Sequence, residues 1–265
     1  MIAKQELADG AQPSLAVFIP AFEAEHTLRR VVARIPESSR DRLQMILIQD
    51  DASTDETAAV AADIAAQVDK VHAFRNERNL GYGGTIKRAH ERMVSAGIDA
   101  YVMVHSDLQH DPELVDSMLA PICAGTADIV LGSRMMGGAL RGGMPISRWA
   151  ANRFLTWRLN RVLGLNLTDY HTGYVAATSA AMSEVDIGSC GDGHELTAEV
   201  LVRAAAASLS ILEVHVPTHY DSASRSCSIA NSTRYAVEVL RMTSRLSGKP
   251  TQGSHPVRRE LEGRS

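Results

Sequence analysis

Residues 45–56, Met-Ile-Leu-Ile-Gln-Asp-Asp-Ala-Ser-Thr-Asp-Glu, decide the fold class because they join a buried strand to the start of a helix. Met45–Ile48 is a short apolar run, typical of a strand covered on both faces. Ser53 followed by Glu56 has the spacing of a capping box, which predicts a helix to about Val68. Because Ser53 would cap that helix, we expect Asp51 to be free to face a ligand.

The same strand-then-helix unit repeats through the first half of the chain. This alternation predicts an α/β protein with a mostly parallel central sheet and helices on both faces. The other predicted strands are Leu15–Ile19, Val71–Phe74, Tyr101–Val104 and Ile129–Leu131. The other predicted helices are Glu23–Ile35, Thr85–Ala96 and one that begins at Asp111-Pro112, an N-cap followed by proline.

After Arg134 the pattern changes to a glycine-rich loop followed by longer elements. The loop contains Gly137, Gly138, Gly142 and Gly143. The elements predicted beyond it are helices at Pro145–Leu163, Glu195–Ala207 and Ser232–Arg245 and strands at Tyr174–Thr178 and Leu209–Val216. With no internal repeat or linker, we expect a single domain over 1–247, and a disordered polar tail over 248–265.

Composition excludes several classes of protein. The 265 residues are 45% hydrophobic and 22% charged with a net charge of -4, which describes a globular chain and gives no reason to expect a nucleic-acid partner. No stretch approaches the roughly 18 to 20 apolar residues of a membrane span, and the first residues lack a secretory apolar region. Three widely spaced cysteines argue against a disulfide framework or cysteine zinc site and fit a reducing cytoplasm.

Basic residues are concentrated in one acid-free segment. No Asp or Glu lies between Asp128 and Asp169, and only 4 of the 27 basic residues are lysine. Such a segment in a mildly acidic protein predicts an anion site or an anionic surface, and the alternative is a solvated helix face. Its arginines are Arg134, Arg141, Arg148, Arg153, Arg158 and Arg161.

Polar residues follow four successive predicted strands, and in open parallel sheets ligands bind at those carboxyl ends. A dinucleotide would need G-x-G-x-x-G directly after the first strand, where this chain has Pro20-Ala21-Phe22-Glu23. A nucleotide sugar held through a divalent cation fits better, because Asp107 and Gln109 supply the oxygen ligands that hard cations take.

The ordered motifs along residues 15–235 resemble family 2 glycosyltransferases of the GT-A fold, in the dolichyl-phosphate mannosyltransferase and polyprenyl-phosphate glycosyltransferase branch. The motifs that carry the resemblance are Ile19-Pro20-Ala21-Phe22-Glu23, Asp50-Asp51-Ala52-Ser53-Thr54-Asp55, Asn79-Leu80-Gly81-Tyr82-Gly83-Gly84, Ser106-Asp107-Leu108-Gln109-His110-Asp111-Pro112-Glu113, Gly132-Ser133-Arg134, Tyr170-His171-Thr172-Gly173-Tyr174 and Val214-His215-Val216-Pro217-Thr218.

The resemblance implies a UDP- or GDP-sugar donor, bound by a nucleotide-sugar half over about 14–134. The implied donor-binding residues are Pro20, Phe22, Glu23, Asp51, Asn79, Gly81, Gly83, Lys87, Ser106 and Asp107. Within this set the first three line the base pocket and Asp51 contacts base or ribose. Asp107 would be the main ligand of Mg²⁺ or Mn²⁺, with Gln109 and His105 as further ligands. His105 stands where the family has the first Asp of its Asp-x-Asp motif.

The implied reaction inverts the anomeric configuration, and its acceptor binds the half over 135–247. A polyprenyl or dolichyl phosphate acceptor needs cations, for which the resemblance offers Arg134, Arg148, Arg153 and Arg225. A small-molecule or glycoside hydroxyl acceptor needs a base, for which the candidates are Asp169, Glu195 and Glu199. A third alternative is a non-catalytic nucleotide-sugar binding protein.

The two tryptophans share one stripe of the predicted helix with an arginine. Trp149 and Trp157 are eight residues apart with Arg153 between them, a pattern that suits a bilayer interface, although ordinary core packing is the alternative. We therefore expect a cytoplasmic protein that is either soluble or peripheral at the inner face of the membrane. The sequence does not indicate an oligomeric state.

Overall fold

A computed structural model describes residues 12–136, 139–140 and 142–217 and the single positions Val237, Val239 and Arg241. These residues build one seven-stranded sheet. Its strands are β1 (Leu15–Ala21), β2 (Leu43–Asp50), β3 (Val71–Arg75), β4 (Ala100–Met103), β5 (Ile129–Ser133), β6 (Val175–Thr178) and β7 (Ile211–His215).

The sheet is mostly parallel, as predicted, with one reversed strand. Its order is β3-β2-β1-β4-β6-β5-β7, and only β6 runs antiparallel, between β4 and β5. Val175, the first residue of β6, pairs with both Met103 and Leu131. The segment that precedes β6 therefore lies at the edge where the parallel strands end.

Helices cover both faces of the sheet, which confirms the predicted layers. The helices are α1 (Leu28–Ala33), α2 (Glu37–Arg42), α3 (Thr57–Gln67), α4 (Gly81–Ser95), α5 (Val115–Cys123), α6 (Ile146–Leu163), α7 (Ser179–Glu184) and α8 (Leu196–Ala206). One apolar core joins the sheet to α1, α3 and α5, and a second joins it to α4, α6, α7 and α8. Neighbouring residues of β1 serve different cores, with Phe18 in the second and Val17 in the first.

Several element boundaries differ from the predicted ones. The first helix begins at Leu28 because Glu23 has a left-handed backbone (φ 51°) that a helix cannot include. Helix α4 begins at Gly81 rather than at Thr85, since the carboxylate of Asp51 accepts the N–H groups of Leu80 and Gly81. The short helices α2 and α7 were not among the predicted elements.

The predicted capping box is wrong. The Ser53 hydroxyl donates to Asp50 and accepts the Glu23 N–H, so it does not cap α3. The N-cap is Glu56, whose side chain makes no capping hydrogen bond, and the N–H of Thr57 at the start of α3 donates to Asp55 Oδ1 at 3.0 Å. The N-cap at Asp111 is confirmed, because its side chain accepts the N–H of Glu113.

Some predictions fall outside the described part of the chain. The helix over 232–245 does so apart from Val237, Val239 and Arg241, which are helical. The tail from Gly248 and Cys227 also lie outside it. Cys123 and Cys190 are free thiols. None of the described helices is both long and apolar enough to cross a bilayer.

We expect Asp55→Ala to lower the free energy of unfolding by about 1 kcal/mol, because the N–H of Thr57 at the start of α3 loses its acceptor. Hydrogen bonds from Thr57 and Glu25 outweigh burial and lower the pKa of Asp55, so the stabilisation is present at neutral pH. It disappears as the pH falls through this lowered value. Urea unfolding at neutral and acidic pH measures both effects.

Glu56→Ala is the matched control, because in a capping box the Glu56 side chain would stabilise the start of α3 as much as the Ser53 side chain does. The structure gives the exposed Glu56 side chain no such role, so we expect a change within about 0.5 kcal/mol. Equal losses for the two variants would restore the capping box.

Candidate active site

The loops after β1, β2 and β4 meet at the carboxyl edge of the sheet. The N–H of Glu23 donates to Ser53 Oγ at 2.9 Å, and Glu23 Oε1 accepts the N–H of Thr54 at 2.8 Å. Each loop contains one non-glycine residue with a left-handed backbone, namely Glu23 (φ 51°), Ala52 (φ 57°) and Leu108 (φ 61°). Backbone strain of this kind clusters at functional sites, so this edge is the candidate site.

Asp51 holds the end of β2 against the start of α4. The expectation that its carboxylate would be free to face a ligand is therefore wrong. Its carboxylate is buried and accepts the N–H groups of Leu80 at 2.8 Å and Gly81 at 3.0 Å, and the Asn76 amide at 2.8 Å. Both oxygens are therefore engaged in positioning the loop. Near it at the edge, the Phe22 side chain is 47% exposed and Pro20 is half-buried.

The glycine-rich start of α4 packs on the loop before α8. The N–H of Gly83 donates to the Asp192 carbonyl at 2.8 Å, and a Cβ at Gly83 would lie 2.6 Å from the Gly191 oxygen. Lys87 forms an ion pair with Asp192 at 2.8 Å and donates to the Cys190 carbonyl. Asn79 accepts the N–H of Gly81 at 3.0 Å. The predicted donor residues of this segment thus form one braced unit.

The turn after β4 has the donor set for a hard cation. Asp107 is half-buried, and its Oδ1 accepts the Gln109 N–H at 3.0 Å, while Oδ2 accepts no hydrogen bond from a described residue. The described chain contains no group of three His, Cys, Asp or Glu side chains that could hold a metal ion. Magnesium often takes only one or two carboxylates and completes its shell with substrate phosphates, so the turn fits such an ion.

Three imidazoles lie around this turn, His110 buried and His105 and His171 half-buried. His105 lies 3.2 Å from the Gly173 carbonyl through Nε2, and its ring is 5.0 Å from that of His110. Both ring nitrogens of His110 are buried without a hydrogen-bond partner among the described residues. Burial lowers the pKa of His105 and of His110, and lowers that of His171 to about 4, so all three are neutral at pH 7. The roles of His110 and Tyr82 as neighbours of His105 were not predicted.

Arg134, predicted to bind the acceptor phosphate, and Asp169, a candidate base, pair with each other. Arg134 Nε lies 3.0 Å from Asp169 Oδ2, and Nη2 donates to the His171 carbonyl at 2.8 Å. Both side chains are buried. Burial would raise the pKa of Asp169, but the Arg134 charge and hydrogen bonds lower it, so the carboxylate is a poor base.

The other two candidate bases differ in their partners. Glu199 forms an ion pair with Arg203 at 2.8 Å and accepts the Gly191 N–H at 2.9 Å. Glu195 precedes α8, and its side chain forms no hydrogen bond or ion pair with a residue in the described ranges; its carboxylate faces Gly193, where a Cβ would lie 2.2 Å from Oε2. Only Glu195 is left as an uncommitted base.

Helix α6 presents aromatic and cationic side chains beside the site. Trp157 and Phe154 are 58% and 54% exposed, so core packing does not explain Trp157. Arg153 lies over the ring of the half-buried Trp149 at 5.9 Å. Ser133 Oγ at the end of β5 lies 2.6 Å from Thr168 Oγ1, five residues after α6. The segment that contains α6 therefore begins and ends at the carboxyl edge of the sheet. Arg141 and Arg225 lie outside the described residues.

We expect Asp169→Asn to lower the free energy of unfolding by about 3–5 kcal/mol, because it leaves the buried Arg134 charge without a counterion. Thermal or urea unfolding measures the loss. The control is Glu199→Gln, which breaks a more exposed ion pair four residues from its partner and should cost only about 0.5 kcal/mol. A loss no larger than that of the control would show that the buried pair does not hold this segment.

Comparisons with known proteins agree with this geometry. The family model for Glycosyl transferase family 2 matches residues 16–187. An undecaprenyl-phosphate mannosyltransferase of Micrococcus luteus is 30% identical over 195 residues, covering 72% of this chain and 75% of the relative. A UDP-N-acetylglucosamine–dolichyl-phosphate N-acetylglucosaminyltransferase of Methanococcus voltae is 25% identical over 222 residues, covering 79% and 87%.

A solved structure extends the likeness to most of the chain. It is glucosyl-3-phosphoglycerate synthase from Mycobacterium tuberculosis in complex with Mn²⁺, UDP and glucosyl-3-phosphoglycerate, with a TM-score of 0.67. The match covers 91% of this chain and 82% of the other, and at 19% identity it speaks for the fold alone. The family match and the shared architecture together establish that the chain is a glycosyltransferase, a member of family 2 with the GT-A fold.

Proposed function

We propose that this protein is a metal-dependent inverting glycosyltransferase that moves a sugar from a UDP- or GDP-sugar to a polyprenyl phosphate. Donor binding is assigned to residues 14–134 and acceptor binding to residues 135–247. The names of relatives that act on undecaprenyl and dolichyl phosphates support this acceptor class. The two halves are joined through the shared sheet, in which β6 pairs with both β4 and β5.

The donor site is proposed at the ends of β1 and β2 and the start of α4. The exposed ring of Phe22 offers a surface for a base to stack on. Asp51 positions the α4 start, whose backbone and the braced Lys87 then shape the pocket. Pro20, Glu23, Asn79 and Ser106 complete the proposed donor set.

Asp107 and Gln109 would hold Mg²⁺ or Mn²⁺ at the turn after β4, with His105 beside them. The chemistry that the ion supplies when bound is neutralisation of the negative charge on the departing diphosphate. The left-handed Leu108 and the hydrogen bond from Gln109 N–H fix the orientation of the Asp107 carboxylate.

The ion pairs of the candidate bases are the observation that favours a phosphate acceptor over a hydroxyl acceptor. An acceptor phosphate oxygen forms the new bond to the anomeric carbon while the bond from that carbon to the diphosphate breaks, and the configuration inverts. The phosphate is already an anion, so no proton has to be removed. Two of the three candidate bases are committed to ion pairs, which fits an acceptor that needs none. Arg148 and Arg153 on α6 supply cations for it.

We also propose that α6 lies at the membrane surface that carries this acceptor. Its exposed apolar residues, Ile146 (75%), Phe154 and Trp157, alternate with arginines in a segment free of acids. Aromatic rings and arginines together suit the interface of an anionic bilayer.

We expect Asp107→Ala to abolish metal-dependent nucleotide binding, because it removes the main oxygen ligand of the cation. Titration calorimetry with UDP and GDP, with and without Mn²⁺, measures the loss. Glu113→Gln removes an exposed carboxylate six residues further on and should change nothing in this assay. Mn²⁺-dependent binding by Asp107→Ala at the strength of the parent chain would refute the metal assignment.

We expect neutralisation of Arg148 and Arg153 to glutamine to reduce sugar transfer to polyprenyl phosphate and binding to anionic vesicles, while nucleotide affinity is kept. Binding of the unaltered protein to vesicles should weaken with salt, since exposed charges are screened within about 8 Å at physiological ionic strength. Radiolabelled sugar transfer and vesicle sedimentation measure the two effects.

The matched control replaces Arg29 and Arg30 on α1, which removes the same charge from the opposite face of the sheet. A second variant, Glu195→Gln, tests the hydroxyl acceptor. If Glu195→Gln stops transfer while the Arg148 and Arg153 variant keeps it, the acceptor is a hydroxyl and the phosphate proposal fails.

A further inference from the structure

His105 occupies the position two residues before Asp107, at the end of β4. The role inferred below for this imidazole rests on the proposed metal-dependent function. An oxygen ligand in that place would suit any hard cation, whereas a ring nitrogen discriminates between them.

The contacts of His105 determine which nitrogen carries the hydrogen. Nε2 lies 3.2 Å from the carbonyl oxygen of Gly173, and a carbonyl can only accept, so Nε2 is the donor. The Tyr82 hydroxyl approaches the same nitrogen at 3.5 Å. Nδ1 is then the unprotonated nitrogen with a lone pair, and it makes no hydrogen bond with a described residue.

Gly173 is required for this arrangement. A Cβ at position 173 would lie 2.3 Å from His105 Nε2, a distance that forces the ring or the backbone to move. The segment that contains Gly173 is brought to His105 by the reversed strand β6. The Nε2 edge of the ring therefore packs against the backbone of Gly173, where there is no room for a side chain.

This is the arrangement of a metal-binding histidine and its supporting group. Histidines that ligate metals usually donate the other ring N–H to a carboxylate or a backbone carbonyl, which fixes the tautomer and the ring. Asp107 stands two residues away with Oδ2 not hydrogen-bonded to any described residue, so one nitrogen and one oxygen are offered on a single turn.

We propose that His105 is a metal ligand through Nδ1 and that this nitrogen makes the site select first-row transition ions such as Mn²⁺ and Co²⁺ over Mg²⁺. Magnesium prefers oxygen ligands in near-ideal octahedral geometry, whereas affinity of nitrogen-containing sites rises from Mn²⁺ to Co²⁺. Gly173 is the positioning residue that supports the ligand.

The test is pulsed electron paramagnetic resonance of Mn²⁺ bound to the full chain with UDP or GDP, because coupling to ¹⁴N reports a directly bound imidazole. We expect this coupling in the parent protein, its loss in His105→Asp, and its retention in His194→Asn, which removes an exposed imidazole stacked on Tyr82. Competition binding should show the preference for Mn²⁺ over Mg²⁺ falling about tenfold or more in His105→Asp. Gly173→Ala keeps the imidazole and should weaken Mn²⁺ binding by about 10- to 100-fold.

The outcomes separate this inference from the proposed function. Bound Mn²⁺ without ¹⁴N coupling from His105, or an unchanged metal preference in a folded His105→Asp, overturns the inference and leaves the metal-dependent transferase intact. Absence of any Mn²⁺-dependent nucleotide binding in the parent protein overturns both. Circular dichroism and melting temperature establish that each variant is folded.

Discussion

The buried ion pair between Arg134 and Asp169 is the interaction on which the segment that enters β6 depends. A buried pair offsets the cost of desolvation only if its remaining hydrogen-bonding groups are satisfied. Here the His171 carbonyl accepts from Arg134, and Glu213 on β7 accepts the N–H groups of Thr168 and Asp169. The pair and its partners tie the end of β5 and the middle of β7 to the segment that enters β6.

Because β6 runs antiparallel, the candidate site is built from residues of both halves of the chain. A parallel strand in this place would start at the opposite edge of the sheet, far from the turn that follows β4. The antiparallel strand instead starts beside the ends of β4 and β5, where the Tyr174 hydroxyl donates to the Asp111 carbonyl at 2.9 Å. Residues from both halves of the chain therefore contact each other directly at the turn after β4.

The sequence was sufficient to predict the layers of sheet and helices, because the periodicity and the length of the apolar runs indicate which faces of each element are covered. It placed the polar loops at one edge correctly, since strand direction alone brings them together. It identified the N-cap at Asp111, but it could not choose between neighbouring candidates at the start of α3 or assign ion pairs. Ser53 and Asp55 are both capping residues by type, but Ser53 donates to Asp50, and Asp55 accepts the N–H of Thr57 at the start of α3. Asp169 was an attractive base by position, but its pairing with Arg134 depends on a contact 35 residues apart.

The contact between His105 and Gly173 also constrains how this chain could have changed over time. The glycine leaves room for the imidazole, so a side chain at position 173 has to be lost before, or together with, the arrival of histidine at position 105. A shorter aspartate at position 105 would place no such demand on its neighbour. The two positions should therefore covary among related chains, with histidine occurring only where glycine is already present.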